Sequence, residues 1–522
     1  MSGSICLANA KVYSLDRVGS RCGALVVEHG QITRLGESAE LKAYASERKI
    51  RVADLGDRSV VPGAIDTHFH LMLTGMSLVG ADFNACRSVD EVLQQLRALA
   101  ASAEDGRWIV GKGLDEFELK EKRPPTAQEL DRVCPSSPVF IEDRGYHYAL
   151  VNTAGFHALG FPVDAPGVRR VADGNAISGQ LMEEVAGQAR SKFLAVLDIA
   201  QKKDMLRRGT QYAAECGVTT LHAIEGGPVT GDDDIPMLFE LKDSLPAWVL
   251  VYWNTFDVPA VVARGVKAFG GDILLDGNLG SSTAALCAPY ADDAKNSGVL
   301  YFKQAEVNDL VARAVEAGVQ VGFHAIGDAA IEQGLVAFEA ASRRYPGAGG
   351  RFRLDHFGVP TPEQIERAAA LKVDIATQPP FAFRRAWPGG VYASRLGDAR
   401  IKQAYPLRDL LNAGLLVGGG SDSSVMSPDY MLGIHSAVNH PNPEQRLTLR
   451  EAFELYTHNG ARMGFEEADK GSLEIGKLGD LVVLSQDPFG VPQDKIKDIS
   501  VDMTVKDGEV VFDQLQAHGI GG

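Results

Sequence analysis

Between residues 60 and 420 the chain switches repeatedly from short apolar runs to helical patterns, and this alternation limits the available architectures more than any other feature. A strand, a crossover helix and a second strand together build a parallel sheet. Eight strand-like runs can be counted, at 60–67, 218–224, 247–254, 272–275, 319–324, 352–356, 373–378 and 415–419. Helical stretches such as 306–317 and 362–371 separate several of them. Eight such units predict an α/β fold of the TIM type, a (β/α)8 barrel. The interval 71–216 is too long for a loop and reads as an insertion with its own structure beside the barrel mouth.

Both chain ends are β-rich. Residues 5–14, 24–27 and 31–35 alternate apolar and polar positions around a turn at His29-Gly30. Residues 480–484, 503–505 and 509–512 do the same around Asp507-Gly508. The ends are expected to pair into one small β-sandwich domain, from 1–61 and 461–522, leaving 62–460 for the barrel and its insertion. A length of 522 residues suits such a division, being more than one ordinary core holds.

The net charge of −16 argues against nucleic acid as a partner, because phosphate binding needs clustered Lys and Arg. No run approaches the roughly 18 apolar residues of a membrane helix, and residues 1–14 show no signal peptide. The six cysteines are scattered without a CxxC pair, which disfavours a thiolate zinc site and fits reduced thiols in the cytoplasm. A small-molecule substrate and a homodimer are the expected partners.

Polar, metal-competent residues recur at the C-terminal ends of the predicted strands, the face where such barrels build their sites. Asp66, His68 and His70 follow the first run, and His222 and Glu225 close the second. Asp276 follows the fourth, His324 ends the fifth, Asp355 and His356 end the sixth, and Asp422 lies just past the eighth. In extended backbone, residues i and i+2 point the same way, so His68 and His70 can grip one ion. Imidazole suits zinc and its neighbours.

The motifs Val61-Pro62-Gly63-Ala64-Ile65-Asp66-Thr67-His68-Phe69-His70, His324-Ala325-Ile326-Gly327-Asp328, Asp355-His356 and Gly420-Ser421-Asp422 resemble those of the amidohydrolase superfamily. Asp276-Gly277-Asn278-Leu279-Gly280-Ser281 and the stretch 471–484 narrow the resemblance to amidohydrolase family 3, the branch that includes N-substituted formamide deformylases. It implies a divalent metal, zinc by default with manganese, iron or cobalt as alternatives, contacted by His68, His70, His324 and Asp422. His356 is implied as a second-metal ligand or a substrate-side donor, and Asp422 as the proton shuttle. The reaction implied is hydrolysis of a C–N bond in an amide, formamide, cyclic amide or urea-like molecule.

One departure bears on the number of ions. Two-metal members carry a bridging carbamylated lysine on the fourth strand, where this chain has Asp272. Either one metal is held or another carboxylate bridges; Glu225 and Asp276 are the candidates by position, with His222 as an extra ligand. His147, Asp276 and Asp328 are expected near the substrate. Arg384, Arg385 and Trp387 follow the seventh strand, where a substrate anion or ring could be held, although a solvated loop accounts for them as well. The alternative activity is single-metal deamination of an amidine-like ring. Deaminases place a glutamate three residues after the fifth-strand histidine; Gly327 stands there, with Asp328 next to it. A non-catalytic binding homologue is the third reading.

Overall fold

The computed structural model describes residues 3–515 except 117, 144–147, 172–175, 183, 233 and 348–350. Eight strands pair side by side in parallel, in chain order. They are β1 (Ala64–Phe69), β2 (Val218–Glu225), β3 (Trp248–Trp253), β4 (Ala268–Leu274), β5 (Gln320–Ala325), β6 (Arg353–His356), β7 (Asp374–Thr377) and β8 (Leu416–Gly419). Every residue of β1, β2, β5, β6 and β7 is buried, as strands covered on both faces require. The ring closes just past β8. The Asp422 N–H donates to the His68 carbonyl at 2.8 Å and the His70 N–H to the Ser423 carbonyl at 2.9 Å. Closure therefore sets Asp422 against the His68–His70 pair.

The helices stop where local chemistry tells them to. Helix α1 (Pro362–Leu371) opens on a capping box between Thr361 and Gln364, with proline in its first turn, and ends on Lys372 in the left-handed region. It covers the residues expected from sequence. Strand β4, by contrast, begins four residues earlier than its apolar signal at 272–275, because Gly270 and Gly271 interrupt that signal.

The terminal sheet holds eight strands, five from the N-terminal end and Leu481–Leu484, Val501–Lys506 and Glu509–Asp513 from the other. It is mixed: Ile5–Tyr13 runs parallel to Arg51–Pro62, which pairs antiparallel with Leu481–Leu484. Ile5, Leu25, Ile32, Val60, Leu481, Met503 and Val505 share one core, and their strands are consecutive in the sheet although they come from both ends of the chain. The turns at His29-Gly30 and Asp507-Gly508 have positive φ at both central residues, the twist that two-residue hairpins prefer.

The run 60–67, expected as one strand, is two. Residues up to Pro62 belong to the terminal sheet and Ala64 begins the barrel. Gly63 hands the chain over: its N–H donates to Asp480, and that of Ala64 to Gly217. A Cβ at Gly63 would stand 2.2 Å from the Thr219 hydroxyl, so only glycine fits.

Residues 72–209 and 226–237 form a separate compact unit. It contains a six-stranded sheet, with Ile109–Leu114 and Val139–Asp143 near its centre. Its core includes Phe83, Leu96, Val139, Ile141 and Leu150. Trp108 packs edge-on against Phe193, which stacks on Phe140, a packing role for that tryptophan.

Candidate metal centre

His68 ends the inward face of β1 and His70 lies just beyond, their rings 5.2 Å apart and edge-on. The His68 Nδ1–H donates to Asp355 Oδ1 at 2.8 Å. Since a carboxylate only accepts, this bond fixes the tautomer and leaves Nε2 as the free ligand atom. Asp355 is itself held by Arg353, which donates from Nε to Oδ2 at 2.9 Å and from Nη2 to Oδ1 at 2.6 Å. All three side chains are fully buried. Burial raises the Asp355 carboxyl, but Arg353 and His68 outweigh it and keep it below its ordinary range.

Asp422 has left-handed backbone, φ 56°, and Oδ1 lies 3.1 Å from His70 Nε2 and 3.5 Å from His68 Nε2. The seam behind it is pinned by Asp66, whose Oδ1 accepts the N–H groups of His68 at 3.1 Å and Ser421 at 3.0 Å.

Asp272 enters from β4. Gly270 and Gly271 have φ of 79° and 95°, and the β4–β5 register shifts between Gly270 and Leu274. A Cβ on Gly270 would meet the Gly322 carbonyl at 2.3 Å. Such a bulge re-aims the residues that follow it. Asp272 Oδ1 lies 3.2 Å from His324 Nδ1, and Oδ2 lies 3.8 Å from His70 Nε2. The side chain standing between the two halves of the cluster is thus Asp272 itself, not Glu225 or Asp276.

His356 completes the group. Its Nδ1–H donates to Gln378 Oε1 at 2.7 Å, and its ring sits 4.3 Å from that of His324 and 4.7 Å from that of His68. Burial and the neighbouring His324 and His68 lower its pKa to about 3, so it is neutral. Burial would also lower His68, but Asp422 and Asp355 push it up to about 10.

These residues fit a divalent ion. Ligand atoms of three overlapping sets lie within 4.8 Å of one another: His68, His70 and Asp272; His68, His356 and Asp422; Asp272, His324 and His356. The Nε2 atoms of His68 and His356 are buried and make no hydrogen bond, a cost that a cation would relieve.

None of the other expected residues that are described belongs to those three sets, although Asp276 Oδ1 lies 3.6 Å from His324 Nε2. His222 stacks on Tyr252 and its Nδ1 faces Arg353 Nη1 at 3.3 Å; burial and that guanidinium drive its pKa well down. Glu225 is buried at the end of β2 and belongs to none of the three sets. The Asp276 carboxylate accepts N–H groups from Ala285, Ile326 and Gly327 at 2.8–3.0 Å, tying a loop to the end of β5. Asp328 accepts the Cys287 N–H at 2.9 Å. His147 lies outside the described residues. Sequence reasoning passed over Arg353 and Gln378 and did not assign Asp272 a ligand's place; the Gly270-Gly271 pair was the available signal for the last.

No helix among the described residues is long and apolar enough to cross a membrane. Over 96% of its length the chain is 29% identical to the Bacillus subtilis protein YtcJ, 98% of which is covered. It is 25% identical to the N-substituted formamide deformylase of Arthrobacter pascens, with 97% of this chain and 98% of that protein aligned. Among solved structures, an uncharacterized metal-dependent hydrolase from Pyrococcus furiosus superposes with a TM-score of 0.78 at 27% identity, covering 93% of this chain and 99% of that one. The sequence profile of the amidohydrolase family, in its family 3 branch, matches residues 51–512. The chain belongs to the amidohydrolase family.

Proposed function

We propose that this protein is a metal-dependent hydrolase of a C–N bond in a small amide, formamide, cyclic amide or urea-like molecule. The observation that carries the reading is the convergence of His68, His70, Asp272, His324, His356 and Asp422 from four strands and the turn after β8, with two imidazole nitrogens buried and unpartnered. A divalent ion held there, zinc by default with manganese, iron or cobalt as alternatives, supplies Lewis acidity to a water molecule and to a substrate carbonyl.

The protein's own groups divide the remaining work. Asp422 is the proton carrier: its carboxylate accepts a proton from the attacking water and returns it to the leaving nitrogen. His356 serves as a ligand rather than a donor, because its one proton is engaged by Gln378 and it stays neutral. Asp355 and Arg353 hold His68 in its ligating tautomer. Asp272 takes the place in which two-metal relatives carry a bridging lysine. Two ions are therefore compatible with the donor set despite the missing lysine.

Deamination finds less support, since Gly327 offers no carboxylate and that of Asp328 is engaged by Cys287. The test combines metal content per chain with turnover of N-formyl and N-acyl amines by the wild type and Asp422→Asn. The variant should lose about 100- to 10,000-fold in kcat, the range for a positioned acid–base group. Unaltered turnover would refute the role of Asp422. Ammonia as the product released from an amidine, in place of a carboxylate from an amide, would favour the deaminase reading.

A further inference from the structure

Arg385 ends the short helix Pro379–Arg385 that follows β7. Its guanidinium carbon lies 4.9 Å from the centre of the Phe381 ring. Phe381 in turn lies nearly parallel to His356, 6.1 Å away with 10° between the planes. A cation, a phenyl ring and an imidazole of the candidate metal centre are thus linked in sequence.

The Arg385 side chain is half-buried, yet its hydrogen bonding among the described residues is one long contact, 3.4 Å from Nη1 to the Tyr392 hydroxyl. No described carboxylate forms an ion pair with it. Compare Arg395, Arg408 and Arg367 on the same body of the protein, each of which reaches a carboxylate within 2.8 Å. A partly desolvated guanidinium without a counter-ion is costly unless something else supplies the charge. Burial lowers the pKa of Arg385, but Tyr392, Tyr405 and Asp422 raise it, so the group stays charged and feels the field of Asp422.

Tyr405 closes the nest. It packs edge-on against Phe381 at 6.0 Å and beside Tyr392 at 6.3 Å, and its fully buried hydroxyl makes no hydrogen bond. The aromatic nest around Phe381 therefore holds a cation without an ion-pair partner among the described residues, linked to His356 through a single ring.

We propose that Arg385 is the anion anchor of the substrate pocket, and that the substrate is an N-acyl or N-formyl compound carrying a carboxylate about one aromatic ring's length from the scissile bond. This rests on the hydrolase reading above and narrows it to anionic substrates. The planar guanidinium suits a carboxylate, which it can hold through two parallel hydrogen bonds, and Phe381 provides the apolar wall between anchor and reacting centre.

The test uses the metal-loaded protein and two matched pairs with a ring between amide and carboxylate: 4-formamidobenzoate against formanilide, and trans-4-formamidocyclohexanecarboxylate against N-cyclohexylformamide. Formate release gives kcat/KM for each. The anionic member of at least one pair should be favoured about 10- to 100-fold, the range of a charge-assisted hydrogen bond. That ratio should collapse toward unity in Arg385→Met and be partly restored in Arg385→Lys. Equal rates within both pairs, or a preference that survives Arg385→Met, overturn the anchor and leave the hydrolase reading standing. If no formamide is hydrolysed, that reading fails for this substrate class, and binding decides the anchor. Calorimetric titration of 4-aminobenzoate should then show at least tenfold tighter binding to the wild type than to Arg385→Met, with aniline showing no such difference; equal affinities refute it.

Discussion

Replacing Arg353 by methionine tests how the centre is held together. Arg353 is fully buried. It makes two hydrogen bonds to Asp355, donates through Nη2 to the Thr67 carbonyl at 2.5 Å, and lies 4.3 Å over the Tyr252 ring. Methionine preserves much of the volume but leaves the Asp355 carboxylate in a closed interior, with His68 as its remaining side-chain partner among the described residues. Breaking a buried pair from one side costs about 3–5 kcal/mol, because the stranded charge keeps its desolvation penalty. Removing both sides is far cheaper, so Arg353→Met combined with Asp355→Leu should recover most of that loss. Metal affinity should not recover with it. In the double variant the His68 Nδ1–H has no acceptor, and losing a partner of this kind typically weakens metal binding about 10- to 100-fold. Urea denaturation of the metal-stripped variants reads the first quantity, and competition with a chromophoric chelator reads the second. A cost below about 1 kcal/mol for Arg353→Met would contradict the buried-pair argument. So would a double variant that binds metal as tightly as the wild type.

Three further outcomes are expected. Asp272→Asn keeps the size of the side chain but removes its charge between His70 and His324, so metal per chain after reloading and desalting should fall; unchanged stoichiometry would remove Asp272 from the ligand set. Gly420→Ala puts a Cβ 2.8 Å from the His68 backbone nitrogen and 3.1 Å from Asp66 Oδ1, and should destabilise the protein by about 1–3 kcal/mol as a forced overpacking; a thermal midpoint equal to that of the wild type would show that the seam yields. Glu451 is lowered to about 2, chiefly by its hydrogen bonds to Arg408. A carboxyl lowered on folding stabilises above its unfolded value of 4.5 and loses that contribution as pH falls toward 2. Arg408→Met should therefore flatten the pH dependence of stability between those values, and an unchanged slope there would dismiss the pair.

The barrel was legible because burial on both faces leaves uninterrupted apolar runs, and the candidate ligands that cluster at its mouth were legible because each lies at or just past the end of such a run. His68, His70, His324, His356 and Asp422 all announce themselves in this way. Asp272 does not. By simple alternation it belongs to a short apolar stretch that starts too late, and only the bulge at Gly270-Gly271 turns it into the centre. The tandem glycines looked like an interruption of the strand when they were the reason for its direction. Gly63 misled in the opposite sense: apolar character is continuous across it, so two strands of different sheets read as one.

Arg353 and Gln378 were hidden for another reason. Neither needs to touch an ion. Gln378 fixes the far side of the His356 imidazole directly, and Arg353 does so for His68 through Asp355. Nothing in the local sequence of either histidine names a partner on another strand. Asp276 shows how one carboxylate can do a second job. It sits at a strand end with the right chemistry for a ligand and its Oδ1 lies 3.6 Å from His324 Nε2, but three backbone N–H groups also donate to its carboxylate and make it a clasp between loop and barrel. Residue type and strand position thus select the polar groups that face the mouth of the barrel, but they do not separate those that ligate from those that brace. That distinction depends on which hydrogen-bonding capacity is already used and on what stands around it: His222 and His440 also have buried Nε2 atoms without a hydrogen bond, but of these four described histidines only His68 and His356 have a ligand atom within 4.8 Å of those of other candidate ligands.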